Sequence, residues 1–458
     1  MRHFWIILIT YYLSLITLLA QPMKPCGTSI LARRHVTNGE TPAKSRFRQA
    51  PQQNTFIGEK RGLIILVEFP DARFQDEDPL QTWTDIANQE GYADNGAIGS
   101  VSDYFHDQSY GQFQLTFDVL GPVEAAHEHA YYGQNIDWGD PLGWFDQNVA
   151  ELVEEACRSV SDQVHFSDYD WNGDGEVDQV FLLYAGHGEN DYWTRDSTVI
   201  WPHMASLCVD WEGYEEGIQL QGVRINTYAC SNEINRSGKL AGLGTFCHEF
   251  SHCLGLPDMY DTEKGNSVLG NYDLMDQGCY NGSGWCPLGY SSYERYACGW
   301  LTPVEVTDPL SVVGIDPNIE NTRESMLHAL RPLIRYPEAC LYRETIDAND
   351  YYLIEYRLKE SWDLNIPKEG LMAWHIDYDE QAWSENTVNN DPDHLRVERM
   401  SLDDIPSGIA SITASEKNAV AVYDLQGRRL STETLPAGRL FIVKNSDGSV
   451  GKRVKICR

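Results

Sequence analysis

Residues 247–258 read Cys247-His248-Glu249-Phe250-Ser251-His252-Cys253-Leu254-Gly255-Leu256-Pro257-Asp258, and their spacing decides what is built around them. On a helix His248 and His252 stand four residues apart, so both imidazoles project from one face at a separation that a single zinc ion bridges. Glu249 lies beside the pair, placed to act as a base on water instead of as a ligand. Gly255 tolerates positive φ and Pro257 forbids continuation, so the helix is expected to end there and return Asp258 toward the histidines. The bare HExxH spacing arises by chance in roughly one chain in a hundred of this length, and adding the glycine and aspartate lowers that to about one in ten thousand. The bland alternative is a surface helix with two solvated histidines. Glu263 or Glu294 would be an alternative third ligand, leaving Gly255 and Asp258 unexplained.

Outward from this stretch, helix and strand signals alternate. Gly62-Leu63-Ile64-Ile65-Leu66-Val67-Glu68-Phe69 is an apolar, β-branched run closed by Pro70-Asp71, hence a buried strand. Residues 101–106 suggest a helix, 113–119 alternate like a half-buried strand, 146–159 have the amphipathic helical period, and 177–185 read as a second buried strand. This pattern argues for an α/β core before residue 260. After Gly299-Trp300-Leu301-Thr302-Pro303 the runs shorten, as in 351–356 and 371–376, and Gly, Pro, Asn and Asp separate them in an all-β texture. Similar runs recur at 419–424 and 440–443. His375, inside one of these runs, is read as a packed or hydrogen-bonded histidine.

Composition excludes several function classes. Of 458 residues 42% are hydrophobic and 22% charged, which a disordered chain would not carry. With 35 basic against 68 acidic residues the net charge is −33, so the phosphate contacts of nucleic-acid binding lack their cations and no nucleic-acid partner is expected. The charge is segregated: residues 1–61 carry 9 basic and 2 acidic side chains, 62–407 carry 17 and 62, and 408–458 carry 9 and 4. An acidic middle keeps a secreted protein soluble, or binds a basic prosegment or divalent cations. Arg2 precedes an apolar run from Phe4 to Ala20 that reads as a cleaved signal peptide. No later run approaches ~18 apolar residues, so no membrane span is expected in the mature chain, and its location is expected to be secreted or cell surface. Eleven cysteines permit disulfides in an exported chain. Cys247 and Cys253 lack a CxxC metal spacing and are read as packing or disulfide residues. Cys26 is the thiol of the basic 21–58 segment, a candidate soft ligand for the metal in a latent form, or an incidental residue of a flexible leader.

The 247–258 stretch resembles the immune inhibitor A-like secreted metallopeptidases, a metzincin-like family with the pattern HExxHxxGxxD. That resemblance implies an α/β (α+β) metzincin-like catalytic domain followed by one or more all-β domains. It implies zinc held by His248, His252 and Asp258, Glu249 as general base, and hydrolysis of peptide bonds in protein or peptide substrates. Asn271-Tyr272-Asp273-Leu274-Met275-Asp276-Gln277-Gly278 looks like the Met-turn of such enzymes, with Met275 as an apolar floor beneath the metal histidines. Gln277 stands where many relatives carry Tyr, so Tyr280, Tyr290 and His203 are the candidates for stabilising the transition state. The implied organisation is a signal peptide (1–20), a basic prosegment or linker (21–58), the catalytic domain (59–303), a β-rich accessory domain (304–402) and a C-terminal β domain (409–458). The rival readings are an inactive surface adhesin built on the same domain, and zinc-dependent hydrolysis of a non-peptide substrate.

Two further segments carry expectations. Asp170-Trp171-Asn172-Gly173-Asp174-Gly175-Glu176-Val177-Asp178 alternates oxygen donors at Asp170, Asn172, Asp174 and Asp178 like an EF-hand loop, with Glu176 among them, and suits calcium. Phe181 stands where the bidentate Glu of such loops belongs, so Glu189 would have to complete the shell. A plain acidic turn is the alternative. The tail 410–458 resembles the sorting domains of type nine secretion cargo, which implies the type nine secretion machinery as a partner.

Overall fold

The computed structural model describes Thr28, residues 56–137, 144–190, 197–315, 328–344 and 349–405, and short strands between 409 and 455. Residues 1–20, read above as a signal peptide, and residues 21–55 other than Thr28, Cys26 included, lie outside the described residues.

A five-stranded sheet organises the first half. It is formed by β1 (Gly58–Glu68), β2 (Phe113–Glu124), β3 (Val180–His187), β4 (His203–Ser206) and β5 (Thr227–Ile234), in the order β2-β1-β3-β5-β4. All neighbours are parallel except β4, which runs antiparallel to β5 at the outer edge. The interior strands β1 and β3 are buried continuously, Leu63–Val67 and Val180–Ala185, because both faces are covered. The edge strand β2 keeps the alternation read from its sequence, with Phe113, Leu115 and Phe117 inward.

Strand alternation sorts the sheet into two cores. Ile64, Leu66, Phe181 and Leu183 face a cluster that includes helices α1 (Pro79–Asn88), α2 (Val101–Gln108) and α4 (Gly244–Cys253). Leu63, Ile65, Val67, Leu182 and Tyr184 face helix α3 (Val149–Ser159), which presents Val149, Leu152, Val153 and Ala156 at helical spacing. This α3 begins later than its sequence period suggests. Residues 144–146 pair with 135–137 instead, and the buried Asp146 carboxylate accepts the Trp201 amide at 2.9 Å. Likewise Glu176–Val177 pairs with Val223–Ile225 in a separate small sheet, so β3 starts at Val180.

Past residue 303 the chain is strand-rich. A second sheet contains β6 (Val304–Val306), β7 (Cys340–Tyr342), β8 (Asp350–Arg357), β9 (Gly370–Asp377) and β10 (Val397–Met400), joined in that order. Its Leu353, Trp374 and Val397 belong to the same core cluster as Phe246, Phe250 and Met275, so one core runs across residue 303. Helices α5 (Ser292–Ala297) and α6 (Glu380–Ser384) meet at this seam, where the Trp383 indole donates to the Tyr293 hydroxyl at 2.7 Å. Beyond 405, strands Ile409–Ile412, Ala419–Tyr423, Arg429–Leu430, Leu440–Asn445 and Val450–Lys455 form a third sheet. Among the described residues no disulfide forms, and no helix is long and apolar enough to cross a membrane.

Candidate metal centre

Helix α4 enters the site at Gly244, where any Cβ would meet the Cys279 carbonyl oxygen at 1.9 Å. That close approach lets the 277–284 segment pack against the start of the helix. Phe246 and Phe250 bury the face turned toward the sheet, Phe246 stacking on Phe181 at 3.7 Å between centroids. The helix ends as its sequence suggests. Gly255 sits at φ +90, its N–H donates to His252 O at 2.9 Å, and the Leu256 N–H reaches Ser251 O at 3.2 Å. This paired terminal closure satisfies the last carbonyls and reverses the chain.

The reversal gathers the motif side chains. His248 Nε2 and His252 Nε2 lie 3.2 and 3.4 Å from Asp258 Oδ1, and all three residues are buried. The other ring nitrogens are anchored by backbone carbonyls: His248 Nδ1 donates to Leu274 O at 3.0 Å and His252 Nδ1 to Leu256 O at 2.7 Å. A carbonyl only accepts, so each Nδ1 carries a proton, and in the neutral ring Nε2 is the lone-pair nitrogen facing Asp258. Two lone pairs and a carboxylate oxygen this close repel unless a cation or proton lies among them. A tetrahedral zinc with bonds of about 2.0–2.1 Å has ligand–ligand edges of about 3.3–3.4 Å, so the donor set fits zinc. Burial alone would push the Asp258 carboxyl up, but the His252 and His248 rings, when protonated, hold it below the ordinary carboxylate range.

Glu249 is 2% exposed, and burial raises its carboxyl above the usual value, partly offset by the two histidines. Its oxygen joins His248 and His252 in the gathered set of ligand-type atoms found among the described residues. Thr28 also reaches this place: its hydroxyl accepts the Met204 N–H of β4 at 2.8 Å and donates to Glu249 Oε2 at 3.3 Å.

The Met275 segment lies under the centre, Met275 itself fully buried. Met259 N–H donates to Met275 O at 2.9 Å, which ties the segment to the loop after Asp258, and Met275 N–H donates to Asp273 Oδ1 at 2.8 Å. Asp276 Oδ2 accepts the amides of Val268, Leu269 and Gly270 at 2.7–2.9 Å, and burial pushes its carboxyl up to about 6. Leu274 carries the carbonyl that orients His248, so this segment fixes a candidate ligand's ring as well as packing beneath it.

The other candidates are placed elsewhere. Glu294 caps α5, accepting Ser291 N–H at 2.5 Å, and Glu263 is exposed beside Lys264. The Tyr290 hydroxyl bonds Ser251 on α4, and burial lowers His203 to about 4, with Nε2 2.7 Å from the Tyr228 hydroxyl. Tyr280 is exposed and lines a cavity with Asn190, Asn232, Arg236 and Thr245. His375 pairs with Asp350 at 2.9 Å. Cys247 is packed in the core, and Cys253 Sγ lies 3.8 Å from Glu249 O. In the 170–178 loop the oxygens face the loop's own backbone: Asp170 accepts from Gly173, Asp174 and Gly175, and Asp178 from Trp171. Glu176 turns to Arg224 and Asn226, while the Glu189 carboxylate accepts from Asn135.

Sequence reasoning missed the residues that hold Asp258, the candidate third ligand. Asn386, Asn389 and Asn390 bond Asp258, Met259 and Thr262 from 124 to 130 positions downstream. No short-range spacing announces them.

The family model described as immune inhibitor A peptidase M6, catalytic domain, matches residues 51–297, just over half the chain. The pre-pro-metalloprotease PrtV of Vibrio cholerae serotype O1 is 25% identical over 280 residues, covering 52% of this chain and 30% of the relative. Immune inhibitor A of Bacillus thuringiensis subsp. alesti is 24% identical over 296 residues, covering 56% and 42%. The match therefore spans less than half the length of these curated relatives.

Proposed function

The chain belongs to the immune inhibitor A peptidase M6 family, and from that premise we propose that it is a secreted zinc endopeptidase with Glu249 as general base. The observation that carries the reading is the convergence of His248 Nε2, His252 Nε2 and Asp258 Oδ1 beside the buried Glu249 carboxylate. Zinc, when bound there, supplies Lewis acidity that polarises a peptide carbonyl and acidifies water.

The chain's own groups do the rest. His248 and His252 arrive with their tautomers set by Leu274 O and Leu256 O, so no proton has to leave Nε2 before ligation. Asp258 brings the negative charge that two neutral imidazoles lack. Glu249, its carboxyl raised by burial, takes a proton from water and returns it to the leaving amine. The Met275 segment keeps water away from the floor of the site. The metzincin-like character of the domain draws support from Gly255, Asp258 and Met275 standing where that pattern puts them.

The test is Glu249→Ala. Metal content should persist while cleavage of a generic unfolded protein falls about 10²–10⁴-fold. Near-parental turnover would sink the assignment. A parent chain that holds zinc and cleaves nothing would favour the inactive-adhesin reading.

Export through a cleaved signal peptide and the type nine secretion machinery are read from residues 1–20 and 410–458 alone. Calcium in the 170–178 loop likewise rests on its donor spacing. The prosegment reading of 21–58 draws support from Thr28, which touches the base and an amide of the outer strand β4. A chain starting at Gly58 should then be more active than one starting at Gln21, and equal activity would overturn latency. If Cys26 contributes, Cys26→Ala should raise the activity of the longer chain.

A further inference from the structure

We propose that Asn386 is a positioning residue of the metal centre: its carboxamide fixes the Asp258 carboxylate so that Oδ1, and not Oδ2, faces the two histidines. The inference rests on the zinc reading above and adds to it a residue outside the 51–297 family match.

The contact is reciprocal. Asp258 N–H donates to Asn386 Oδ1 at 2.8 Å, and Asn386 Nδ2 donates to Asp258 Oδ2 at 2.6 Å. The amide orientation follows from chemistry, because an N–H only donates and a carboxylate only accepts. Both residues are fully buried. With Oδ2 engaged by an N–H donor, the carboxylate is held in one rotation, which leaves Oδ1 on the side of His248 and His252.

The support continues on both sides. Asn386 sits at φ +54, a left-handed conformation that asparagine adopts more readily than most residues. Its own carbonyl accepts the Thr262 hydroxyl at 2.8 Å. Asn390 Oδ1 accepts the Thr262 N–H at 2.8 Å, and Asn389 Nδ2 donates to Met259 O at 2.9 Å. One segment following α6 thus grips the loop at Asp258, Met259 and Thr262, and of its three asparagines Asn386 is the one bonded to the carboxylate.

Two substitutions separate an electrostatic role from a conformational one. Asn386→Asp keeps size and shape but sets a second carboxylate against Asp258 Oδ2. Asn386→Gly keeps the left-handed backbone and removes the amide. Zinc affinity of the full chain is measured by competition with a chelator, alongside the visible spectrum of the cobalt-substituted protein and the melting of the metal-free form. Both variants should bind zinc about 10–100-fold more weakly than the parent, Asn386→Asp the more so, with a changed cobalt spectrum. Should Asn386→Asp fail to fold, Asn386→Gly decides alone. Parental zinc affinity and cobalt spectrum in Asn386→Gly, with only its melting lowered, would overturn the proposal. A parent chain that takes up no zinc would overturn the zinc reading itself, and Asn386 with it.

Discussion

Helix α4 and the loop from 170 to 178 both place metal-type donors at ligand spacing, yet the chain treats them in opposite ways. Around α4 each candidate donor is held by a group that is not itself a donor: Leu274 O for His248, Leu256 O for His252, Asn386 for Asp258. Their ligand atoms are left to face one another. In the loop the same kind of oxygen satisfies neighbouring amides, three of them on Asp170 alone. Spacing supplies donors, and what decides their use is whether other parts of the fold satisfy the backbone around them.

The strongest test of this contrast is His252→Ala. Removing one oriented donor should release zinc and lower peptide cleavage by at least about 10³-fold, read as metal content and turnover. Retained zinc would make the oriented set irrelevant. In the same assay Asp258→Ala should weaken metal binding and Glu263→Ala should not. If only Glu263→Ala released zinc, the third ligand would be wrong.

The loop side breaks differently. If calcium enters, Asp170 and Asp174 supply carboxylate oxygens to it, and at 100 times its Kd it should stabilise the parent by about 2.7 kcal/mol. The double variant Asp170→Asn, Asp174→Asn should show no such response. Equal melting of the parent with and without calcium would leave the loop a plain turn.

Acidity sharpens the same comparison. Burial, with Asp174 and Asp170 nearby, pushes Asp178 up to about 6. A raised carboxyl favours the folded state in its protonated form, so this stability is full below about pH 4 and is lost as pH rises through 6, a change of about 3 kcal/mol. Chemical denaturation without calcium across that window should show the decline, and Asp178→Asn should flatten it. The smallest expected effect is at the helix end: Gly255→Ala at φ +90 should cost about 1 kcal/mol of stability, seen as a lower denaturation midpoint.

The sequence made the local parts legible. Apolar continuity marked β1 and β3, alternation marked β2, and helical spacing with Gly255 marked α4 and its stop, because each signal lies within about ten residues of its cause. Other features needed the tertiary structure. The helical period of 146–159 includes Asp146, but its carboxylate is buried on the Trp201 amide before the helix begins. The change of texture near 303 is real in secondary structure, but Trp374 and Trp383 pack into the core that holds Phe250. Thr28 and Asn386 reach the centre from opposite ends of the chain, across separations of 221 and 128 residues, which no periodicity encodes.

The separation between Asp258 and Asn386 is also an interval of time. A ribosome adding roughly 5–20 residues per second completes the zinc motif many seconds before it makes the segment that braces it. A nascent chain of 297 residues already carries every residue of the motif, but Asn386 has yet to be added. On the reading proposed here, the centre waits for a brace synthesised 128 residues after Asp258.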